Sequence, residues 1–253
     1  KVVASTAVVT LNDDAGTAIT AAELSAIGGK TSGQVTVSNA VAITGDHDQL
    51  TAALVTDDTK VVASTALATV SDDAGTAITA AELSAIGGKT SGQVTVSNAV
   101  VISGDHDQLT AALVTDDTKV VASTAVVTLN DDAGTAVTAA ELSAIGGKTS
   151  GQVTVSNAVA ITGNAAQVTA ALVTADTLVV ASTAAVTITG NPSIAELNAI
   201  AAKTDGVVTA TLAATSLASL ADLTTAGTDN ITITVSDDAG DALTASDLST
   251  LGG

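Results

Sequence analysis

KVVASTAVVTLNDDAGTAITAAELSAIGGKTSGQVTVSNAVAITGDHDQLTAALVTDDT, residues Lys1–Thr59, is the stretch that decides the fold, because it recurs along the chain. The copies are residues 1–59, 60–118 and 119–177, a diverged fourth copy at 178–229, and a partial copy at 230–253. Self-similarity at a fixed period of tens of residues is the signature of a repeat architecture. The sequence therefore predicts a single solenoid over residues 1–253.

Each copy divides into two half-repeats, which in the first copy are residues 1–33 and 34–59. In the second half-repeat, apolar residues alternate with a mostly polar set. The apolar residues are Val35, Val37, Val41 and Ile43, and those between them are Thr36, Ser38, Ala42 and Thr44. This period of two predicts a half-buried strand with the Val/Ile set inside. Asn39 stands between the two apolar pairs and is the expected site of a bend.

Helix starts are marked by capping boxes. Thr20 and Glu23 have the spacing at which a hydroxyl and a carboxylate each bind a backbone N–H of the other residue. Leu24 follows as an apolar helix position, and Gly28 is expected to end the helix in a left-handed conformation. The segment that begins with Asp46-His47-Asp48-Gln49 shows a second box of the same kind.

These features predict about nine strand–helix coils, each too short to bury its apolar face without its neighbours. Strands joined by crossover helices lie parallel, and the crossover is right-handed. The expected fold is a right-handed parallel β-solenoid with one sheet on one side, short helices on the other, and a 59-residue period made of two coils. Phe, Tyr, Trp, Met and Cys are absent, so Val, Ile, Leu and Ala must fill the interior.

Charge excludes several classes of partner. The chain has 26 acidic residues against 7 Lys and Arg, a net charge of −19. Nucleic acids and anionic lipid surfaces bind basic proteins, so neither is an expected partner. No apolar run reaches the roughly 18–20 residues of a membrane span, so membrane insertion is not expected. Divalent cations are the expected ions.

Acidic loops are the candidate metal sites. A pair of Asp residues precedes Ala-Gly in four places: Asp13 and Asp14, Asp72 and Asp73, Asp131 and Asp132, and Asp237 and Asp238. Carboxylate oxygens beside a Gly turn suit weak Ca²⁺ binding. The alternative is a turn without metal, because Asn and Asp favour turns by themselves.

Asp46-His47-Asp48 is a second candidate, either as a metal or proton-transfer site or as a helix cap with a solvated His. The third copy has Asn164-Ala165-Ala166-Gln167 at this place, which keeps the cap and its Gln but loses the His. The cap interpretation is favoured. No residue pattern indicates catalysis, and no enzyme activity is expected.

Outward Thr and Ser residues of the strands raise a third possibility. They are Thr36, Ser38 and Thr44 in the first copy and Thr95, Ser97 and Ser103 in the second. A flat Thr array on a solenoid binds ice in some proteins, but Thr is also a good strand residue that forms ladders between neighbouring strands. The spacing is not a strict Thr-x-Thr in every coil.

One family resemblance is visible. ITAAELSAIGGKTSGQVTVSNAVAITG (Ile19–Gly45), with TASDLSTLGG (Thr244–Gly253), resembles the Ala/Thr/Val-rich repeats of very large secreted and cell-surface bacterial proteins of the cyanobacterial type. The resemblance implies an extracellular or cell-surface structural role in adhesion, a fibre, a sheath or motility support. Such proteins often carry calcium-binding nonapeptide repeats elsewhere, and those repeats are missing here.

We therefore expect a structural segment of an extracellular fibre, surface layer or adhesin stalk, with copies of itself as partners. The first copy lacks a polar cap and the last is cut in mid-repeat, which favours end-to-end stacking or a longer array. The alternatives are a calcium-dependent secreted module and an ice-binding solenoid. No cofactor other than Ca²⁺ is a candidate.

Overall fold

The computed structural model describes residues 5–174 and 178–237, in which short parallel strands alternate with short helices. The described residues up to 130 form one compact unit together with residues 144–153. Residues 131–143 and those from 154 onward form a second unit. The single solenoid over residues 1–253 stays a prediction.

The elements of the first unit are short, and in two places an α-helical turn continues directly into a π-helical turn. Its strands are β1 (Val9–Leu11), β2 (Ala18–Thr20), β3 (Val35–Val37), β4 (Ala42–Gly45), β5 (Val61–Val62), β6 (Leu67–Val70), β7 (Ala77–Thr79), β8 (Val94–Val96), β9 (Val101–Gly104), β10 (Val120–Val121) and β11 (Val126–Leu129). Its helices are α1 (Ala21–Gly28), α2 (His47–Leu50), α3 (Ala80–Gly87) and α4 (His106–Leu109), with π-helical turns π1 (Thr51–Val55) and π2 (Thr110–Val114).

The second unit continues the same alternation. It contains β12 (Ala136–Thr138), β14 (Ala160–Asn164), α6 (Ala165–Val168), π3 (Thr169–Val173), β15 (Val179–Val180), β16 (Ala185–Thr189), α7 (Ile194–Ala201), β17 (Val208–Thr211), α8 (Leu217–Leu220) and β18 (Asn230–Thr232). Helix α5 (Ala139–Gly146) and strand β13 (Val153–Val155) have residues in both units.

The strands form several parallel sheets and not the one sheet that the sequence predicts. In the first unit the order is β1-β3-β5 in one sheet and β2-β4-β6-β8-β10 in another, while β7, β9 and β11 pair in that order. In the second unit β12, β14, β16, β17 and β18 are neighbours. The reason is the bend within each half-repeat: β3 and β4 flank Asn39 and join different sheets.

The apolar interior agrees with the predicted alternation. Val35, Val41 and Ile43 are fully buried, and Val37 is 3% exposed. Thr36 and Ala42 on the other face are only half-buried. Helix α1 adds Leu24 to the interior, fully buried. Small aliphatic side chains thus fill the space between strands and helices, as a composition without aromatic residues requires.

Two helix ends differ from prediction. Gly28 lies inside α1, and Gly29 after it has a right-handed φ of −66°, so the predicted left-handed end is wrong. Gly28 is required for a different reason: a methyl group there would overlap the backbone carbonyl of Thr59. The second predicted helix, from Asp46 onward, widens into the π-helical turn π1, where the Thr59 hydroxyl donates to the Ala53 carbonyl over 2.9 Å.

Candidate functional site

The acidic loops lie between two strands of the same half-repeat, and their backbone is held by an Asn side chain. In the first copy Asn39 Nδ2 donates to the Asp13 carbonyl over 2.7 Å, and the Thr17 amide donates to the Asp14 carbonyl over 3.0 Å. Gly16 has a φ of 83°, which an L residue adopts at a cost. The loop is therefore a turn that backbone and Asn side-chain hydrogen bonds hold in place.

The two Asp residues of each pair differ in environment. Asp72 and Asp131, the first residues of their pairs, are buried with 6% and 5% exposure. Asp73 and Asp132, the second residues, are exposed. In the first copy both Asp13 and Asp14 are exposed. The two carboxylates of a pair therefore do not share one binding position in the second and third copies.

Asp72 binds the start of helix α2 in the preceding half-repeat. The backbone N–H of His47 donates to Asp72 Oδ2 over 2.7 Å, and His47 Nδ1 lies 2.6 Å from Asp72 Oδ1. A carboxylate only accepts, so Nδ1 carries the hydrogen. The side chains are 15% and 5% exposed. This contact joins residues 25 positions apart at a mostly buried site, where hydrogen bonds to a charged group are strong.

Asp237 has a related position in the second unit. Both of its carboxylate oxygens lie 3.2 Å from the backbone nitrogen of Leu217, the first residue of α8. The first Asp of a pair thus again binds a helix start. Asp238 lies outside the described residues.

The Asp46 cluster is a helix cap, as the third copy suggests. Asp46 Oδ1 accepts from the Gln49 amide over 2.7 Å, and Gln49 Oε1 accepts from the Asp46 amide over 3.3 Å. The expectation of a solvated His47 is wrong, because Asp72 of the next half-repeat covers it. Asp48 is the exposed member, with 88% of its side chain accessible, and its Oδ1 lies 3.6 Å from His47 Nε2.

Acidic neighbours set the protonation of His47. Burial lowers the pKa of His47, but the hydrogen bond and charge of Asp72, with smaller contributions from Asp48 and Glu82, outweigh it, so the pKa is raised above 6.5. The Glu82 pKa is lowered, first by hydrogen bonds from the side chain and backbone of Thr79. At mildly acidic pH the site therefore holds a histidinium against a carboxylate.

We expect His47 to stabilise the protein more at pH 6 than at pH 9. A raised folded-state pKa gives a stabilisation that is fully present below the unfolded value of about 6.5 and is lost as pH rises through the folded value. The measurement is the free energy of unfolding of the wild type minus that of His47→Gln at several pH values. A difference that does not change with pH would contradict the prediction. The matched control is Asp48→Asn, which should alter the pH dependence far less because Asp48 is exposed.

Metal ions in proteins are held by several converging side chains, and the structure describes residues 5–174 and 178–237. Within those ranges no three His, Asp or Glu side chains converge as a metal site requires. Calcium binding by the Asp pairs stays a prediction. If it occurs, Asp14 and Asp73 are better placed than Asp72, whose two oxygens already face His47.

Outward threonines form single columns across the sheets. Thr20, Thr44, Thr69 and Thr95 are register neighbours in the first unit, and Thr138, Thr162, Thr187 and Thr209 are neighbours in the second. The Ser38 hydroxyl donates to Asn12 Oδ1 over 3.0 Å. The columns are what a Thr ladder between strands requires. Ice binding stays a prediction.

Two further observations concern membrane spans and similarity to known proteins. Among the helices of the described residues, none has the length and apolar character needed to cross a membrane. A scan against protein-family models, a search of the curated proteins and a search of the solved structures each find no match for this chain.

Proposed function

We propose that this chain is a structural segment of an extracellular fibre, surface layer or adhesin stalk, built as a right-handed parallel β-solenoid with a 59-residue period of two coils. One observation carries the proposal: polar side chains of the kind that could bind a ligand recur in hydrogen bonds within and between half-repeats. His47 with Asp72 is the clearest case, and three further contacts recur with it.

The first recurring contacts come from the turn after each eight-residue helix. The Thr31 hydroxyl donates to the Ala7 carbonyl, and the Ser32 hydroxyl donates to the Ser5 carbonyl over 2.8 Å. The second copy repeats these bonds from Thr90 to Ala66 and from Ser91 to Ser64. Each of these bonds joins the end of a half-repeat to its beginning, 24–27 residues earlier, so the chain returns alongside itself once in that half-repeat.

Asn side chains supply the third contact. Asn98 Nδ2 donates to the Asp72 carbonyl over 2.6 Å, as Asn39 does to Asp13. Hydrogen bonds of side chains to buried backbone groups stabilise by about 1 kcal/mol each, and a stack repeats them in every coil. Such a module suits a mechanical role better than ligand turnover. The extracellular location follows from the family resemblance.

The test is electron microscopy and sedimentation of the full chain at rising protein concentration. We expect fibres, sheets or concentration-dependent oligomers, because stacked parallel strands leave pairing edges. Monodisperse monomers at every concentration would overturn the proposal. A parallel series with Ca²⁺ and with chelator tests the calcium-dependent alternative, which loses its support if circular dichroism and assembly are the same in both.

A further inference from the structure

A surface cleft in the first unit carries two lysines in an otherwise acidic chain. It has a volume of about 320 Å³, and its charged lining residues are Lys60, Lys89 and one acid, Asp57, beside the apolar side chains of Val61 and Val62. Both lysines are exposed. Neither forms an ion pair with a described residue. We call this feature the lysine cleft.

Lys60 lies at a left-handed turn position that recurs in later copies. Lys60 has a φ of 52°, and Lys119, the corresponding residue of the next copy, has 53°. A residue with a Cβ pays about 1 kcal/mol or more in this left-handed region, which Gly would occupy freely. Leu178, at the corresponding position of the fourth copy, has a φ of 49°, so the turn does not need the charge of Lys60 and Lys119, which both lie exposed.

The chain also presents exposed acidic features, of opposite charge to the two lysines. The turns Asp14–Gly16 and Asp73–Gly75 are exposed at every residue. A methyl group added at Gly16 or Gly75 would meet nothing within 4 Å, so the tips stand clear of the molecule. The carboxylates of Asp14 and Asp73 form no hydrogen bond with a described residue. We call these features the acidic turns.

The lysines and the acidic turns share one spacing in the sequence. Lys60 and Lys119 are one period apart, as are Lys89 and Lys148, and Asp14, Asp73 and Asp132 follow the same period. When two rows of opposite charge have equal spacing, several contacts form together once one has formed. Contacts that are weak singly then add up through effective concentration. Exposed ion pairs contribute only about 0.2–1 kcal/mol each, so such repetition is required.

We propose that the lysine cleft of one copy of this chain binds an acidic turn of a second copy, which gives the protein a lateral mode of association. The inference rests on the proposed structural function and specifies which surfaces meet side by side. The partner is a second copy because its acidic turns are exposed and recur in the sequence with the same period as the lysines. Lysine ammonium groups on the rim pair with the carboxylates, while Val62, 39% exposed, offers apolar contact beside them.

The test uses two charge-reversal variants of the full chain. The first replaces Lys60, Lys89, Lys119 and Lys148 with Glu, and the second replaces Asp14, Asp73 and Asp132 with Lys. Each alone should weaken lateral association at least about tenfold in sedimentation, and an equal mixture of the two should restore it. Wild-type association should also weaken when salt is added, and a chelator should leave it unchanged. The matched controls are Lys203→Glu and Asp48→Lys with Asp107→Lys, which change charge elsewhere.

The outcomes separate this inference from the proposed function. If the wild type assembles and the lysine variant assembles equally well, the lateral contact is wrong and the structural role stands. If the wild type never assembles, the lateral contact and the proposed structural function are both wrong. If chelator abolishes association and restoration by mixing fails, cation bridging between acidic surfaces replaces the lysine contact. Circular dichroism of each variant confirms that it is folded before its association is compared.

Discussion

Replacing Gly92 with alanine is expected to lower the free energy of unfolding by about 3 kcal/mol or more. A methyl group at Gly92, the last residue of its half-repeat, would overlap the backbone carbonyl of Ala66 near the beginning of the same half-repeat. That carbonyl accepts from the buried Thr90 hydroxyl, and Thr90 Oγ1 accepts in turn from the Gly92 amide over 3.0 Å. Neither side of the contact moves without breaking these bonds. Denaturant unfolding of the purified variant measures the loss.

Two other glycines are matched controls for Gly92→Ala. Gly75→Ala should cost about 1 kcal/mol, because its φ of 84° strains an L residue but the space around it is open. Gly88→Ala should be close to neutral, because Gly88 has a right-handed φ of −67° and a new methyl group would lie 3.3 Å from the Ser84 carbonyl. Equal losses at all three positions would show that close approach to the Ala66 backbone is not what Gly92 provides.

Local features of this fold were predictable, whereas contacts between half-repeats were not. The capping box of Thr20 and Glu23 depends on residues three apart, and the structure forms it with bonds of 2.9 and 3.2 Å. The bend at Asn39 also follows from local sequence. The reason Gly28 must be glycine lies at Thr59, a neighbour in space that no local pattern indicates. The division into several sheets depends in the same way on which strands become neighbours.

The contact of His47 with Asp72 was missed in the sequence, although a signal was present. His47 and His106 are each followed 25 residues later by an Asp, Asp72 and Asp131. In the third copy both members of the pair are gone together, since Ala165 is followed by Gly190. Loss of the His alone suggested only that it was dispensable. Joint loss with a residue one half-repeat away is what a contact between neighbouring half-repeats produces.

Replacing Asp72 with alanine is the second substitution for which we expect a large effect, a loss of about 3 kcal/mol in the free energy of unfolding. The change removes the acceptor for the His47 backbone N–H and for His47 Nδ1. Hydrogen bonds to a charged group contribute about 1.5–3 kcal/mol, and donors left without a partner at a mostly buried position cost more than exposed ones. Asp72→Asn keeps one acceptor oxygen and should lose less. Unfolding in denaturant at pH 6 measures both variants.

Two controls test whether the stability lost in Asp72→Ala comes from its contact with His47: a substitution of the neighbouring Asp73 and a double-mutant cycle. Asp73→Ala removes an equal charge from the same loop and should change stability by less than about 0.5 kcal/mol, because Asp73 is exposed. In a cycle of Asp72→Ala with His47→Ala, a coupling of about 1–3 kcal/mol assigns the loss to the pair. Additive effects would instead assign it to the loop itself. Coupling would make this pair a link through which the half-repeat that contains His47 stabilises the one that follows.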